Sequence, residues 1–269
     1  MRVGIVGAGA LGLVFASMLS KEHEVVLVCK RKEQAKAIKL DAVTSPKQAG
    51  KVGFFILTVK AYDAQKALKK IRRSHPKTPV VAIQNGLLHF EDPHVIRGVT
   101  TYAATREGDC KAVLSAAGEL FLERKRSAKK VSEALNDAGV NSRVVKGLGS
   151  LLWEKFFINV GINALGATTG KRNGEILQDE RLVERMKRLV GEAVVVSEVD
   201  EDPESVFHRV VEVAIQTGEN RNSMLQDLKA GRKTEIDFLN GAVCHMGAIV
   251  GLDTPENERI TREVKKRGG

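Results

Sequence analysis

Short runs of consecutive apolar residues alternate with amphipathic stretches over the first half of the chain, and only the amphipathic kind persists in the second. Residues 2–6 (RVGIV), 23–29 (HEVVLVC), 52–59 (VGFFILTV) and 80–83 read as buried strands, because they are continuous in apolar residues and rich in β-branched ones. Between them, residues 11–19, 33–40 and 64–73 carry helical spacing. Strands and helices alternating at this size predict a parallel sheet. Weaker strands are expected over 95–104 and 118–123, then a helix over 128–138 and a strand over 141–145.

After Lys146-Gly147-Leu148-Gly149 every segment has helical periodicity: 151–165, 180–199, 203–217, 224–228, 235–250 and 256–266. Asp202-Pro203-Glu204 and Thr254-Pro255-Glu256 place proline at the first helical position behind a capping residue. The expected organisation is a dinucleotide-binding α/β domain over 1–147 followed by an all-helical domain over 148–269. No internal repeat or low-complexity segment interrupts it.

Composition narrows the class. With 269 residues, 43% of them hydrophobic and 28% charged, the chain can bury a sizeable core, which excludes a disordered or fibrous protein. The glycines at 7, 9 and 12 break the first apolar stretch, unlike a signal peptide, and no apolar run is long enough to span a bilayer. A soluble cytoplasmic protein without membrane partners is expected. Three cysteines, Cys29, Cys110 and Cys244, lack any Cys-x-x-Cys spacing, and six histidines are scattered, so neither a disulfide framework nor a metal site is indicated.

The net charge of +10 favours anionic partners. Basic residues occur only in short clusters and aromatic residues are 4%, so a nucleic-acid surface with stacking platforms is not expected. A small anionic ligand accounts for the charge equally well.

That ligand has a place to bind. Gly7-Ala8-Gly9-Ala10-Leu11-Gly12 follows a strand and opens a helix, the context in which a G-x-G-x-x-G pattern binds a dinucleotide. Gly7 permits the turn, Gly9 lets backbone approach a pyrophosphate, and Gly12 allows the helix to pack on the sheet. An NAD-binding protein commonly ends its second strand with an acid that takes the ribose 2′-hydroxyl. Here that place reads Cys29-Lys30-Arg31-Lys32, and the nearest acid, Glu33, lies beyond three cations. The 2′-phosphate of NADP(H) is therefore favoured over NAD(H).

In the helical half, Lys155, Asn159 and Asn163 recur every four residues and share one helix stripe, flanked by Phe156, Phe157, Ile158, Val160 and Ile162. Buried polar groups need partners. Spacing alone leaves two readings open, a hydrogen-bonded seam between helices and an active site.

The glycine motif, Thr58-Val59-Lys60-Ala61-Tyr62, Gln84-Asn85-Gly86, Leu152-Trp153-Glu154-Lys155 with Asn159 and Asn163, Asn173-Gly174-Glu175, Asn222-Ser223-Met224-Leu225-Gln226-Asp227 and Thr234-Glu235-Ile236-Asp237 together resemble the ketopantoate reductase (2-dehydropantoate 2-reductase) family over nearly the whole chain. The resemblance implies a Rossmann domain followed by a helical domain of the 6-phosphogluconate dehydrogenase C-terminal-like kind. It also implies NADPH-dependent reduction of ketopantoate to (R)-pantoate, a step toward pantothenate and coenzyme A.

Carried over by motif, the resemblance makes Lys155 the catalytic lysine and Glu235 the glutamate near the cofactor ribose and active site. It makes Asn85 a contact of both cofactor and substrate. Asn159, Asn163, Asn173 and Ser223 fall on substrate-binding positions, Lys60 on the cleft lysine and Ala104 on a cofactor-contacting backbone position. Asp227 falls to local support. Which of Lys30 and Arg31 holds the 2′-phosphate stays open, because the family often presents arginine there. A homodimer through the helical domain is expected by analogy. The rival readings are a reductase of another small 2-keto or 3-hydroxy acid on the same scaffold, and an NADPH-binding sensor without turnover.

Overall fold

The computed structural model describes residues 1–268. By its internal contacts the chain forms two compact units, one of residues 1–84 with 89–149, the other of Asn85–Leu88 with the residues from Ser150 onward.

The first unit is built on an eight-stranded sheet. Its strands are β1 (Arg2–Val6), β2 (Glu24–Val28), β3 (Asp41–Val43), β4 (Phe54–Leu57), β5 (Val80–Ala82), β6 (Val95–Thr100), β9 (Leu120–Glu123) and β10 (Ser142–Val145), while β7 (Ala103–Arg106) and β8 (Ala112–Ala116) form a separate antiparallel hairpin. From one edge the order is 3-2-1-4-5-6, all parallel, after which β9 pairs antiparallel to β6 and β10 parallel to β9. This is the doubly wound order whose direction reverses between β1 and β4. Strands covered on both faces should be apolar throughout, and β4 and β5 are buried at every residue. Helices α1 (Ala10–Leu19), α2 (Lys32–Ala37), α3 (Ala61–Ser74) and α4 (Ala128–Asp137) complete the unit. In α3 the buried residues Ala61, Ala64, Leu68 and Ile71 follow the three-four spacing of a one-sided helix.

The apolar run expected as one strand over 95–104 is instead divided. β6 joins the main sheet, Tyr102 is buried at the break, and β7 turns away into the hairpin. Small residues kept β8 (AVLSA) from reading as a strand, and it is largely exposed. The helix expected over 33–40 stops at Ala37, where the chain turns extended and feeds the edge strand β3.

The second unit is helical among the described residues: α5 (Leu148–Thr169, whose first two residues belong to the first unit), α6 (Asn173–Ile176), α7 (Glu180–Val195), α8 (Pro203–Gln216), α9 (Ser223–Lys229), α10 (Asn240–Val250) and α11 (Pro255–Gly268). α5 is apolar nearly all round and runs through the core, burying Phe156, Phe157, Val160, Ile162, Ala164 and Leu165. Asp202 caps α8 by accepting from the Ser205 N–H, with Pro203 at the first position. Buried amides join the helices: Asn240 donates to the Val160 carbonyl at 3.1 Å and to Asn257 at 2.9 Å, and Asn257 donates to Glu192 at 2.8 Å. Each bond satisfies a group whose burial would otherwise be costly. The helix expected over 235–250 begins as a short 3-10 turn, Ile236–Phe238, before α10.

No helix among the described residues is long and apolar enough to cross a membrane, and no three His, Cys, Asp or Glu side chains among them are grouped to hold a metal ion.

Candidate functional site

The first unit gathers Gly7, Ala8, Gly9, Ala10, Leu11, Gly12, Lys30, Arg31, Lys60 and Ala104. Gly7, Lys30 and Thr58-Val59-Lys60 all follow carboxyl ends of adjacent parallel strands, at the reversal of strand order where such sheets bind ligands. The three glycines answer to different constraints. Gly7 has φ of +117°, and a Cβ there would lie 2.8 Å from the Val59 nitrogen; a Cβ on Gly12 would overlap the Gly7 carbonyl oxygen. Thr58 fixes this crossing by donating its hydroxyl to that same carbonyl at 2.7 Å.

Gly9 is different, since a Cβ there would meet no atom of the protein within 4 Å. It immediately precedes α1, so the open space lies over the helix N-terminus and its unpaired N–H groups. Protein packing therefore demands glycine at 7 and 12, whereas at 9 it leaves open space. These residues fit a dinucleotide pyrophosphate.

At the end of β2, Lys30 is 87% exposed with its ammonium 3.7 Å from Asp63, and Arg31 donates to Asp109 at 2.6 Å. Asp109 stands at the tip of the β7–β8 hairpin and also accepts from Arg106 at 3.1 Å. Gln34 is buried and donates both to the Ala8 carbonyl at 3.0 Å and to the Asp109 carbonyl at 2.7 Å. Neither Gln34 nor Asp109 was identifiable from the sequence, because they meet the motif from positions far along the chain and belong to no short pattern. Cys29 is buried at the same strand end, and burial pushes its thiol up to about 11, so it is an inert packing residue. Lys60 directly precedes α3, and Ala104 is half-buried on β7, paired with Leu114.

The second unit gathers Asn85, Lys155, Asn159, Asn163, Asn173, Ser223 and Glu235. Gly86 has φ of +86°, and a Cβ on it would lie 2.5 Å from the Phe238 carbonyl oxygen. Only glycine lets the Gln84-Asn85-Gly86 turn come this close to the 3-10 turn, and the approach brings the Asn85 amide onto the Glu235 carboxylate at 3.1 Å.

Glu235 is buried and acts electrostatically on Lys155 of α5. The lysine as a whole is half-buried, but loss of water around its ammonium pushes its pKa down to about 8, against the opposing attraction of the Glu235 carboxylate. An ammonium that titrates near pH 8 is far better placed to give up a proton than a solvated lysine.

One and two turns along α5, Asn159 is half-buried and Asn163 buried. The Asn159 amide nitrogen is enclosed without a hydrogen-bond partner. Asn173, first residue of α6, donates to Thr217 at 2.9 Å, while its own amide oxygen is enclosed and unpartnered. Unsatisfied buried groups are rare enough to require an explanation, and a polar ligand is one. Ser223 is exposed at the start of α9, where Asn222 caps the helix by accepting from Leu225. Asp227 is buried on α9 and accepts from Arg232 at 3.0 Å, a contact within the unit's own fabric.

Comparison with known proteins extends these observations. Residues 3–126 match the family model described as Ketopantoate reductase PanE/ApbA, and residues 149–268 match Ketopantoate reductase PanE/ApbA C terminal. The 2-dehydropantoate 2-reductase of Pyrobaculum aerophilum is 30% identical, over 98% of this chain and 96% of that protein. That of Archaeoglobus fulgidus is 29% identical, over 98% and 97%. Among solved structures, a PanE/ApbA family ketopantoate reductase from Ralstonia eutropha superposes with a TM-score of 0.88 at 25% identity, covering 100% of this chain and 98% of that one. A D-mandelate dehydrogenase, solved with NADH and anilino(oxo)acetate, gives 0.91 at 25% identity with the same coverage.

Proposed function

The chain belongs to the ketopantoate reductase family, and on that premise we propose that it reduces 2-dehydropantoate to (R)-pantoate with NADPH, using Lys155 as the general acid. The observation that carries the catalytic part is Lys155, its pKa down at about 8 through desolvation and against the electrostatic pull of buried Glu235. NADPH, when bound, supplies the hydride to C2 of the keto acid. As negative charge develops on the ketone oxygen, the Lys155 ammonium stabilises it and donates the proton that completes the alcohol.

Glu235 keeps enough of the lysine protonated to serve as an acid, and Asn85, which donates to Glu235, orients that carboxylate. The unpartnered Asn159 amide nitrogen and Asn173 amide oxygen, with Asn163 and the Ser223 hydroxyl, suit a substrate bearing a carboxylate, a ketone and a hydroxyl, since neutral donors and acceptors fix several oxygens at small desolvation cost. In the first unit, the glycine turn takes the pyrophosphate and Lys30 and Arg31 the 2′-phosphate. Two-fold self-association belongs to the same reading and is checked by light scattering.

The decisive experiment follows the absorbance of NADPH, and separately of NADH, with ketopantoate and a panel of branched and aryl 2-keto acids. Rapid oxidation confined to ketopantoate is the expected result. A second reading, reduction of another 2-keto acid with NADH, is favoured by the similarity to the D-mandelate dehydrogenase, and preferential turnover of an aryl keto acid would establish it instead. NADPH binding without oxidation by any acid would leave a sensor.

A further inference from the structure

The acid missing from the end of β2 is supplied by a distant stretch of the first unit. Asp109 lies 78 residues beyond Arg31, and its carboxylate accepts from Arg31 at 2.6 Å and from Arg106 at 3.1 Å. The hairpin tip is also held by bonds that do not involve that carboxylate. Gln34 ties the Asp109 carbonyl to the glycine turn, Arg106 donates to the Gly108 carbonyl at 2.8 Å and to the Asp109 carbonyl at 3.0 Å, and the Glu107 N–H donates to the Lys111 carbonyl at 2.8 Å. Backbone acceptors hold the tip, and the Asp109 side chain adds charge as well as two hydrogen bonds.

We propose that Asp109 is a specificity-determining residue, which restrains the preference for a 2′-phosphorylated cofactor that Lys30 and Arg31 would otherwise confer. The inference rests on the reading that these cations meet the 2′-phosphate. A 2′-phosphate reaching Arg31 finds a carboxylate hydrogen-bonded to the same guanidinium, so the pair must part or two anions must share one cation. A ribose 2′-hydroxyl is neutral and incurs no such repulsion. Arg31 and Asp109 are 53% and 60% exposed, and an exposed pair is weakly held, so the carboxylate can swing aside and shifts the ratio rather than excluding NADPH. Lys30 is likewise offset, more loosely, by Asp63 at 3.7 Å.

The test is titration calorimetry at low ionic strength with adenosine 2′,5′-bisphosphate and with 5′-AMP, ligands that differ only in the 2′-phosphate and need no turnover. Asp109→Asn should tighten the bisphosphate about tenfold, or ~1.4 kcal/mol, and leave 5′-AMP within about twofold. In an Arg31→Ala background the same substitution should have little effect, since the cation it unmasks is gone. Equal gains for both nucleotides, no gain for either, or an undiminished gain without Arg31 would overturn the proposal. A nucleotide shift in a protein that does not reduce ketopantoate would leave the proposal standing while the functional reading falls.

Discussion

Charge is handled in opposite ways in the two units. At the end of β2, Lys30, Arg31 and Asp109 are largely exposed, and their attractions are weakened by water and salt. Around Lys155, the partner Glu235 is buried and the ammonium has lost enough water to move its pKa from the ordinary 10.5 down to about 8. On the proposed reading, the exposed cluster tunes which cofactor is preferred without endangering the fold. The enclosed cluster lowers the proton affinity of Lys155, the proposed general acid, and does so at a cost in stability.

The largest test of this contrast is Lys155→Ala. Loss of a positioned general acid typically costs 10²–10⁴-fold in rate, and turnover of ketopantoate should fall on about that scale. NADPH affinity should change by no more than a few-fold, because the glycine turn and the β2 end belong to the first unit. In the wild type, turnover should decline as pH rises through about 8, where Lys155 loses its proton. Steady-state rates across pH, with cofactor binding followed by fluorescence, decide the matter; unchanged turnover would remove Lys155 from the acid role.

A smaller effect separates two glycines three residues apart. Gly12→Ala drives a methyl into the Gly7 carbonyl, so it should lower thermal stability and cofactor affinity together. Gly9→Ala meets no protein atom and should leave the melting temperature nearly unchanged; on the proposed reading, in which the pyrophosphate fills that space, it should weaken NADPH about 10-fold or more. Parallel melting curves and binding titrations check this; a fall in melting temperature for Gly9→Ala equal to that for Gly12→Ala would mean that glycine at 9 serves the fold alone.

What the sequence made legible divides along similar lines. Continuous apolar strands such as residues 2–6 and 54–57, and the glycine turn after the first, are local patterns whose cause lies within a few residues, so they could be read directly. The β7–β8 hairpin could not, because Ala112–Ala116 lacks the alternation of a half-buried strand and is largely exposed. The same is true of Asp109. A search for an acid near the end of β2 passes only cations, while the acid arrives from a loop 78 residues on. In the second unit, the four-residue spacing of Lys155, Asn159 and Asn163 was visible, but the approach of Asn85 to Glu235 depends on a turn 150 residues away in sequence.

The smallest effect is on stability. The folded protein holds the Lys155 proton less tightly than the unfolded chain, with pKa values of about 8 and 10.5. Between these values the unfolded state binds more protons, so stability should rise as pH increases across that window; the penalty is fully present below about pH 8 and gone above 10.5. Lys155 is half-buried rather than sealed, so remaining exposure to water reduces the penalty to about 1–2 kcal/mol. Lys155→Met, which keeps the apolar stem and removes the charge, should therefore raise the denaturation midpoint at pH 7 and lose that advantage by pH 10.5. Arg31→Met should show no comparable gain, because its side chain is 53% exposed and its guanidinium keeps contact with water. Urea titrations of both variants at the two pH values make the comparison: a Lys155→Met protein no more stable than wild type at pH 7 would show that Glu235 fully compensates the buried ammonium, and the contrast between the two units would then lie in chemistry alone.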